Sequence, residues 1–153
     1  MLQYVVDFVK ANFPNQTWIR DRKVQDGCSY KRPDILCDLG YQVLIIEIDE
    51  NQHETYTCSC DNKRLMMLSI DVGHRPMIVI RFNPDEYVNQ EGDLIPTCWT
   101  IENKSKILRV SSHNTKHWKN RLDALKVNIE YWLNESNKTD KMVEVIQLFY
   151  DQN

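Results

Sequence analysis

The chain has 153 residues, 42% hydrophobic and 27% charged, a balance that excludes a disordered chain and predicts one globular domain. A net charge of −3 does not mark a general polyanion binder, and no apolar run approaches the roughly 18 residues of a membrane span. The opening stretch MLQYVVDFVKANF carries Asp7 and no basic region ahead of an apolar one, so no secretion signal is expected and the location would be cytoplasmic or nuclear.

Leu2, Val5, Val6 and Val9 recur at helical spacing and predict an amphipathic helix over 1–11, ended by Asn12-Phe13-Pro14-Asn15. Residues 17–24 read as a strand carrying Trp18, and Asp26-Gly27 as a turn. Residues 33–38 form a short strand, Gly40-Tyr41 reverses the chain, and 43–49 (VLIIEID) is a β-branched, almost wholly apolar strand suited to the buried centre of a sheet. Leu65, Leu68 and Val72 lie on one face of a helix over 62–72, which Gly73 stops. Pro76 leads into a second buried strand, 77–82, ended by Asn83-Pro84. The order is helix, three strands, helix, strand.

Further on, 98–101 and 107–110 read as two short strands or a hairpin. Trp118, Leu122, Leu125, Ile129 and Trp132 recur every three or four residues, an amphipathic helix, and 143–150 reads as a final strand. A single domain over 1–153 is expected, with a core of about 1–88 and a C-terminal α/β extension of about 89–153.

Two acids end the apolar strand. Glu47 and Asp49 are two residues apart and point to the same face. Burying carboxylates together is costly unless a cation or donors compensate. Asp34 lies on the preceding strand, one tight turn away, where a hairpin can bring it opposite them. Three converging acids make a hard, oxygen-rich site suited to Mg²⁺ or Mn²⁺. The competing reading is that they cap a strand and pair with Arg32, Lys63 or Arg64.

Charge is unevenly spread. Seven Lys or Arg (Lys104, Lys106, Arg109, Lys116, Lys119, Arg121, Lys126) face one acid, Asp123, between positions 104 and 126. This segment reads either as a solvated surface or as a track for a nucleic-acid backbone. Trp118, between these charges, suits the core better than base stacking. The five cysteines do not suggest a disulfide framework: Cys37 and Cys98 sit in apolar stretches where a thiol packs, and Cys28, Cys58 and Cys60 flank polar, turn-like sequence.

RPD at 32–34, EIDENQH at 47–53, NKR at 62–64 and IRFNPDEY at 80–87 together resemble the PD-(D/E)XK nuclease superfamily. The likeness is greatest to the branch of very-short-patch-repair endonucleases and to small endonuclease-like proteins of large DNA viruses, and it covers roughly residues 1–88. It implies an α/β restriction-endonuclease-like fold, a central mixed sheet flanked by helices. It also implies a Mg²⁺- or Mn²⁺-dependent endodeoxyribonuclease acting on DNA in repair, recombination or viral DNA processing.

By this resemblance Asp34 and Glu47 are metal ligands, joined by the Ile48 carbonyl. Where the superfamily has a lysine this chain has Asp49. In the short-patch-repair branch an Asp at that strand end binds metal and is followed by a His like His53. The lysine's task, orienting water and offsetting charge, would pass to Gln52 or His53 and to Lys63 or Arg64. His53 is chemically suited to acid–base work, and equally to a surface turn or a zinc site. Lys63 and Arg64 at a helix start oppose the helix dipole, which suggests an anionic partner close by. Cys58 and Cys60, with Cys28 and His53 or Cys37, could hold a structural Zn²⁺, as short-patch-repair enzymes do. Lys104, Lys106, Arg109, Lys116, Lys119 and Arg121 would contact the DNA backbone. The missing lysine keeps a second expectation open, a nucleic-acid-binding protein that has the fold without turnover. A third is an interaction domain whose acids serve only stability. A homodimer is compatible with the sequence, which does not set the oligomeric state.

Overall fold

The computed structural model describes residues 1–25, 27, 29, 31–50, 58–101, 108–110 and 114–152, with 58–61, 101 and 108 described by backbone alone. In chain order the elements are α1 (Leu2–Asn12), β1 (Ile19–Arg20), β2 (Ile35–Asp38), β3 (Val43–Ile48), α2 (Cys58–Asp71), β4 (Met77–Phe82), β5 (Tyr87–Val88), β6 (Leu94–Ile95), β7 (Trp99–Ile101), β8 (Leu108–Val110), α3 (Thr115–Leu133) and β9 (Val143–Leu148). Five strands form a central mixed sheet in the order β1-β2-β3-β4-β9. β1, β2 and β3 pair antiparallel, whereas β4 runs parallel to both β3 and β9.

Both faces of the sheet are covered, which is why β3 and β4 carry nearly continuous apolar runs rather than alternation. On one face Leu44, Ile46, Ile78, Ile80 and Phe82 share a core with Val5, Val6 and Val9 of α1 and Trp118, Leu125 and Ile129 of α3. On the other, Val43, Ile45, Met77 and Val79 meet Leu68 of α2 and Val72 just beyond it. Strand alternation places Glu47 on the same side as Ile45, the side that α2 covers.

The β2–β3 turn is built by local chemistry. Gly40 takes φ +84°, open to glycine without strain. Its amide donates to Asp38 Oδ1 at 2.8 Å, and Arg75 grips both Asp38 oxygens at 2.7 and 3.0 Å. The register that follows, Asp38↔Val43 through Ile35↔Ile46, carries Asp34 to the level of Glu47.

Several boundaries differ from the sequence reading. The strand expected over 17–24 is only Ile19–Arg20: Asp21 turns the chain at φ +44°, and 22–25 runs across the α2 face of the sheet, where Val24 is buried. α2 begins at Cys58 rather than 62. The β5–β6 hairpin, with two residues per strand, has no counterpart in the hydrophobic pattern. The β7–β8 hairpin and the final strand lie where expected, and Gly73 follows α2 at φ +74°. The described residues after 88 contribute to the same core. β9 is a strand of the central sheet, α3 shares the main core, and the buried Gln42 side chain donates to the carbonyls of Trp132 and Asn137 at 3.3 and 3.4 Å. No helix among the described residues is long and apolar enough to cross a membrane.

Candidate active site

Asp34 and Glu47 come together at the end of the β2–β3 hairpin. Asp34 Oδ2 accepts the Ile48 amide at 2.8 Å, which pins the carboxyl across the strands, and the Asp34 and Glu47 side chains are hydrogen-bonded to each other. Glu47 Oε1 accepts from Arg64 Nη2 at 3.0 Å, and the same nitrogen donates to the Arg32 carbonyl at 3.1 Å. Arg64 therefore ties α2 to both acid-bearing strands.

Burial governs the electrostatics. It pushes Asp34 above the ordinary carboxylate range, although the Ile48 amide, the bond to Glu47 and the Arg64 charge pull downward. It pushes Glu47 up to about 7, and the neighbouring Asp34 adds to the rise against the opposing pull of Arg64. Two acids this close do not both ionise cheaply, and each raises the proton affinity of the other unless cations or donors offset the repulsion.

Asp49 has different partners. It is fully buried, its Oδ2 accepts from Arg81 Nε at 2.8 Å, and the Tyr150 hydroxyl donates to the same oxygen. Arg81 stands beside Glu47 in the parallel β3–β4 register. Asp49 thus closes an ion pair between β3 and β4, with Tyr150 joining just past β9. It lies near enough to raise both Asp34 and Glu47. Among the described residues no group of three or more His, Cys, Asp or Glu is gathered so as to hold a metal ion. The oxygen pair Asp34–Glu47 has the donor chemistry for a hard divalent cation, and the third acid is turned to Arg81.

Of the cations expected at the site, Arg64 is there and Lys63 is exposed to solvent. Ile48, whose carbonyl was the expected ligand, contributes the amide bond to Asp34. Gln52 and His53 lie outside the described residues, as do Cys28, the side chains of Cys58 and Cys60, and Lys104 and Lys106. Cys37 and Cys98 are buried thiols, as their apolar surroundings suggested.

The basic α3 segment is partly a different thing from what its charge implied. Arg121 is not a surface contact. It is 3% exposed, its guanidinium donates to the carbonyls of Asn83, Asp85 and Pro96 at 3.1, 2.7 and 3.1 Å, and it stacks on Tyr87 and Phe149. Trp118 is core, packed edge-on against Phe82 and Trp99. Arg109, Lys116 and Lys119 are exposed, but α3 covers the face of the sheet opposite Glu47.

Sequence reasoning missed Arg81 and Tyr150. A signal existed for Arg81, a lone charge in the buried run MIVIRF with an acid-bearing strand to pair beside it. Tyr150 reaches Asp49 across 101 residues of sequence, and no local pattern announces that.

No family model matches the sequence, and no curated protein matches it. A solved structure, the half-complex from the tetradecameric assembly of Thermococcus gammatolerans McrB AAA+ hexamers with bound McrC, contains a chain similar to this one. The match has a TM-score of 0.45 and 14% identity, covering 84% of this chain and 32% of that one.

Proposed function

We propose that this protein is a divalent-cation-dependent DNA endonuclease with a restriction-endonuclease-like core, its site centred on Asp34 and Glu47. The observation that carries the reading is the meeting of these two carboxyls at the end of a hairpin, Glu47 buried and Asp34 half-buried, with Arg64 as their paired cation. Asp34 and Glu47 would hold Mg²⁺ or Mn²⁺. A cation there supplies Lewis-acid stabilisation and an acidified water for phosphodiester hydrolysis. The element order α1, β1–β3, α2, β4 and the mixed sheet suit this core.

The chain's own residues have separable tasks. The Ile48 amide fixes the Asp34 carboxyl in orientation. Arg64, half-buried and hydrogen-bonded to Glu47, holds that carboxyl and would offer the site the positive charge expected of Lys63 or Arg64. The Arg81–Asp49–Tyr150 set anchors β3 to β4 and to the chain beyond β9, keeping the end of β3 rigid under the acid pair.

One observation favours a second reading, a nucleic-acid-binding protein that keeps the fold without turnover: Asp49 is committed to Arg81 and Tyr150. Incubating the purified protein with supercoiled, linear and mismatched DNA in Mg²⁺, Mn²⁺ or EDTA separates the two. Cutting in metal but not in EDTA supports the endonuclease. Salt-sensitive binding without cutting supports the second reading, and neither activity defeats both.

A further inference from the structure

The edge of the sheet next to the acid pair is basic. Residues 10–32 contain six Lys or Arg (10, 20, 22, 23, 31, 32) against two Asp (21, 26), a net of +4 in a chain whose total is −3. Lys10 from α1 and Arg20 and Arg22 from β1 and its exit line a pocket of about 390 Å³ with Trp18 and Ile19. All three cations are exposed.

This pocket is connected to the acids by the fold. Arg20 stands opposite Ile35, one residue from Asp34, and the Asp21 amide donates to the Asp34 carbonyl at 2.9 Å. Arg20 and Lys10 lie on the α1 side of the sheet. Arg22 also lines a second cavity, with Val24, Leu36 and Val72, on the α2 side where Glu47 lies. The basic surface therefore wraps around the edge strand from one face to the other. Arg32 continues it: its guanidinium holds the Asp21 carbonyl and carboxylate, and its own carbonyl accepts from Arg64. Both partners of the Arg32–Asp21 pair are more than half exposed, so the pair is weak and an incoming phosphate can compete for Arg32.

We propose that this wrapped edge (Lys10, Arg20, Arg22 and Arg32) is the seat of the DNA phosphodiester backbone, and that it leads the strand to Asp34 and Glu47. The proposal rests on the endonuclease reading for the identity of the polyanion. It moves the binding surface away from α3, whose exposed lysines sit over the far face. Backbone contacts of this kind are insensitive to sequence and strongly salt-dependent. A β edge lined with cations also resists pairing with another strand, so the same residues keep β1 open to the ligand.

The test is fluorescence anisotropy with a labelled 30-base-pair duplex in EDTA, across a range of NaCl, on the full chain. Lys10→Ala/Arg20→Ala/Arg22→Ala is compared with Lys116→Ala/Lys119→Ala, with circular dichroism verifying that each is folded. The triple variant should bind at least about 10-fold more weakly than wild type, with the log–log salt slope shallower by roughly 2–3. The α3 variant should stay within about twofold of wild type by the same contact counting. Equal affinity and slope in the triple variant and wild type would overturn the proposal, as would the larger loss falling on the α3 variant or no salt-dependent binding by wild type. Nicking of plasmid in Mn²⁺ by the same proteins reports on the endonuclease reading separately. Binding lost in the triple variant while wild type never nicks leaves the surface standing and removes the hydrolase. Nicking by wild type with undiminished binding by the triple variant does the reverse.

Discussion

Arg81 Nε donates to Asp49 Oδ2 at 2.8 Å, joining two adjacent parallel strands through an ion pair whose acid is fully buried. The geometry gives Asp49 a mechanical role. Removing one partner of such a pair strands the other charge in a dry interior. Asp49→Ala should therefore lower unfolding free energy by about 3–5 kcal/mol, and Tyr150→Phe, which removes one donor, by about 1–2 kcal/mol. Urea denaturation checks both, and a variant at Asp49 that is as stable as wild type contradicts the assignment.

Glu47 gives a pH signature. Its ordinary value of 4.5 is raised to about 7 in the folded protein, first by burial and then by Asp34. Below 4.5 both folded and unfolded chains are protonated. Between there and 7 the unfolded chain ionises while the folded one keeps its proton, so stability falls as pH rises and levels off above 7. The loss is on the order of 3 kcal/mol, and Asp34, also raised, acts in the same direction. Thermal melts in EDTA from pH 4 to 8 should show the decline, Glu47→Gln should flatten it, and Mn²⁺ should restore more stability at pH 8 than at pH 5. A melt insensitive to pH over this range contradicts the raised proton affinity of the Asp34–Glu47 pair.

Arg121 and Lys119 are neighbours on one helix with opposite expectations. The buried Arg121 guanidinium satisfies three carbonyls, that of buried Asn83 among them, and its loss removes all three bonds. Arg121→Ala should cost about 3 kcal/mol or more, while Lys119→Ala, an exposed site, should stay within about 0.5 kcal/mol. Paired chemical denaturation of the two variants measures the contrast, and equal stabilities would refute it.

Both outcomes bear on what the sequence could tell. The central hairpin was legible because VLIIEID and MIVIRF are unmistakable buried strands, and Gly40 and Gly73 punctuate them. The convergence of Asp34 on Glu47 follows from strand register alone. The fate of Asp49 was not legible, since the same period that aligns it with Glu47 is silent on Arg81 and Tyr150, partners 32 and 101 residues away. Arg121 was misread by counting charge. Its place in the buried series Trp118, Arg121, Leu125, Ile129 puts it on the apolar stripe of α3, three residues after one anchor and four before the next. The basic edge at β1 was passed over because its cations come from α1, a two-residue strand and a loop, which only the fold gathers.

Among the described residues Arg64 is the cation bonded to Glu47. Arg64→Met would remove a side chain that pulls Glu47 downward by charge and hydrogen bond together. The midpoint of the pH-dependent decline in stability should then move to higher pH than in wild type. An unchanged midpoint would show that Arg64 does not act on Glu47 in solution.

On the proposed reading Asp34 and Glu47 form the cation-holding pair of a nuclease. Single-turnover cleavage of a labelled duplex in Mn²⁺, by wild type, Asp34→Ala and Glu47→Ala, tests it most directly. Wild type should cut in Mn²⁺ and not in EDTA, and each variant, with its fold intact, should lose at least about 100-fold. Metal-dependent cutting that persists at the wild-type rate in either variant would contradict it.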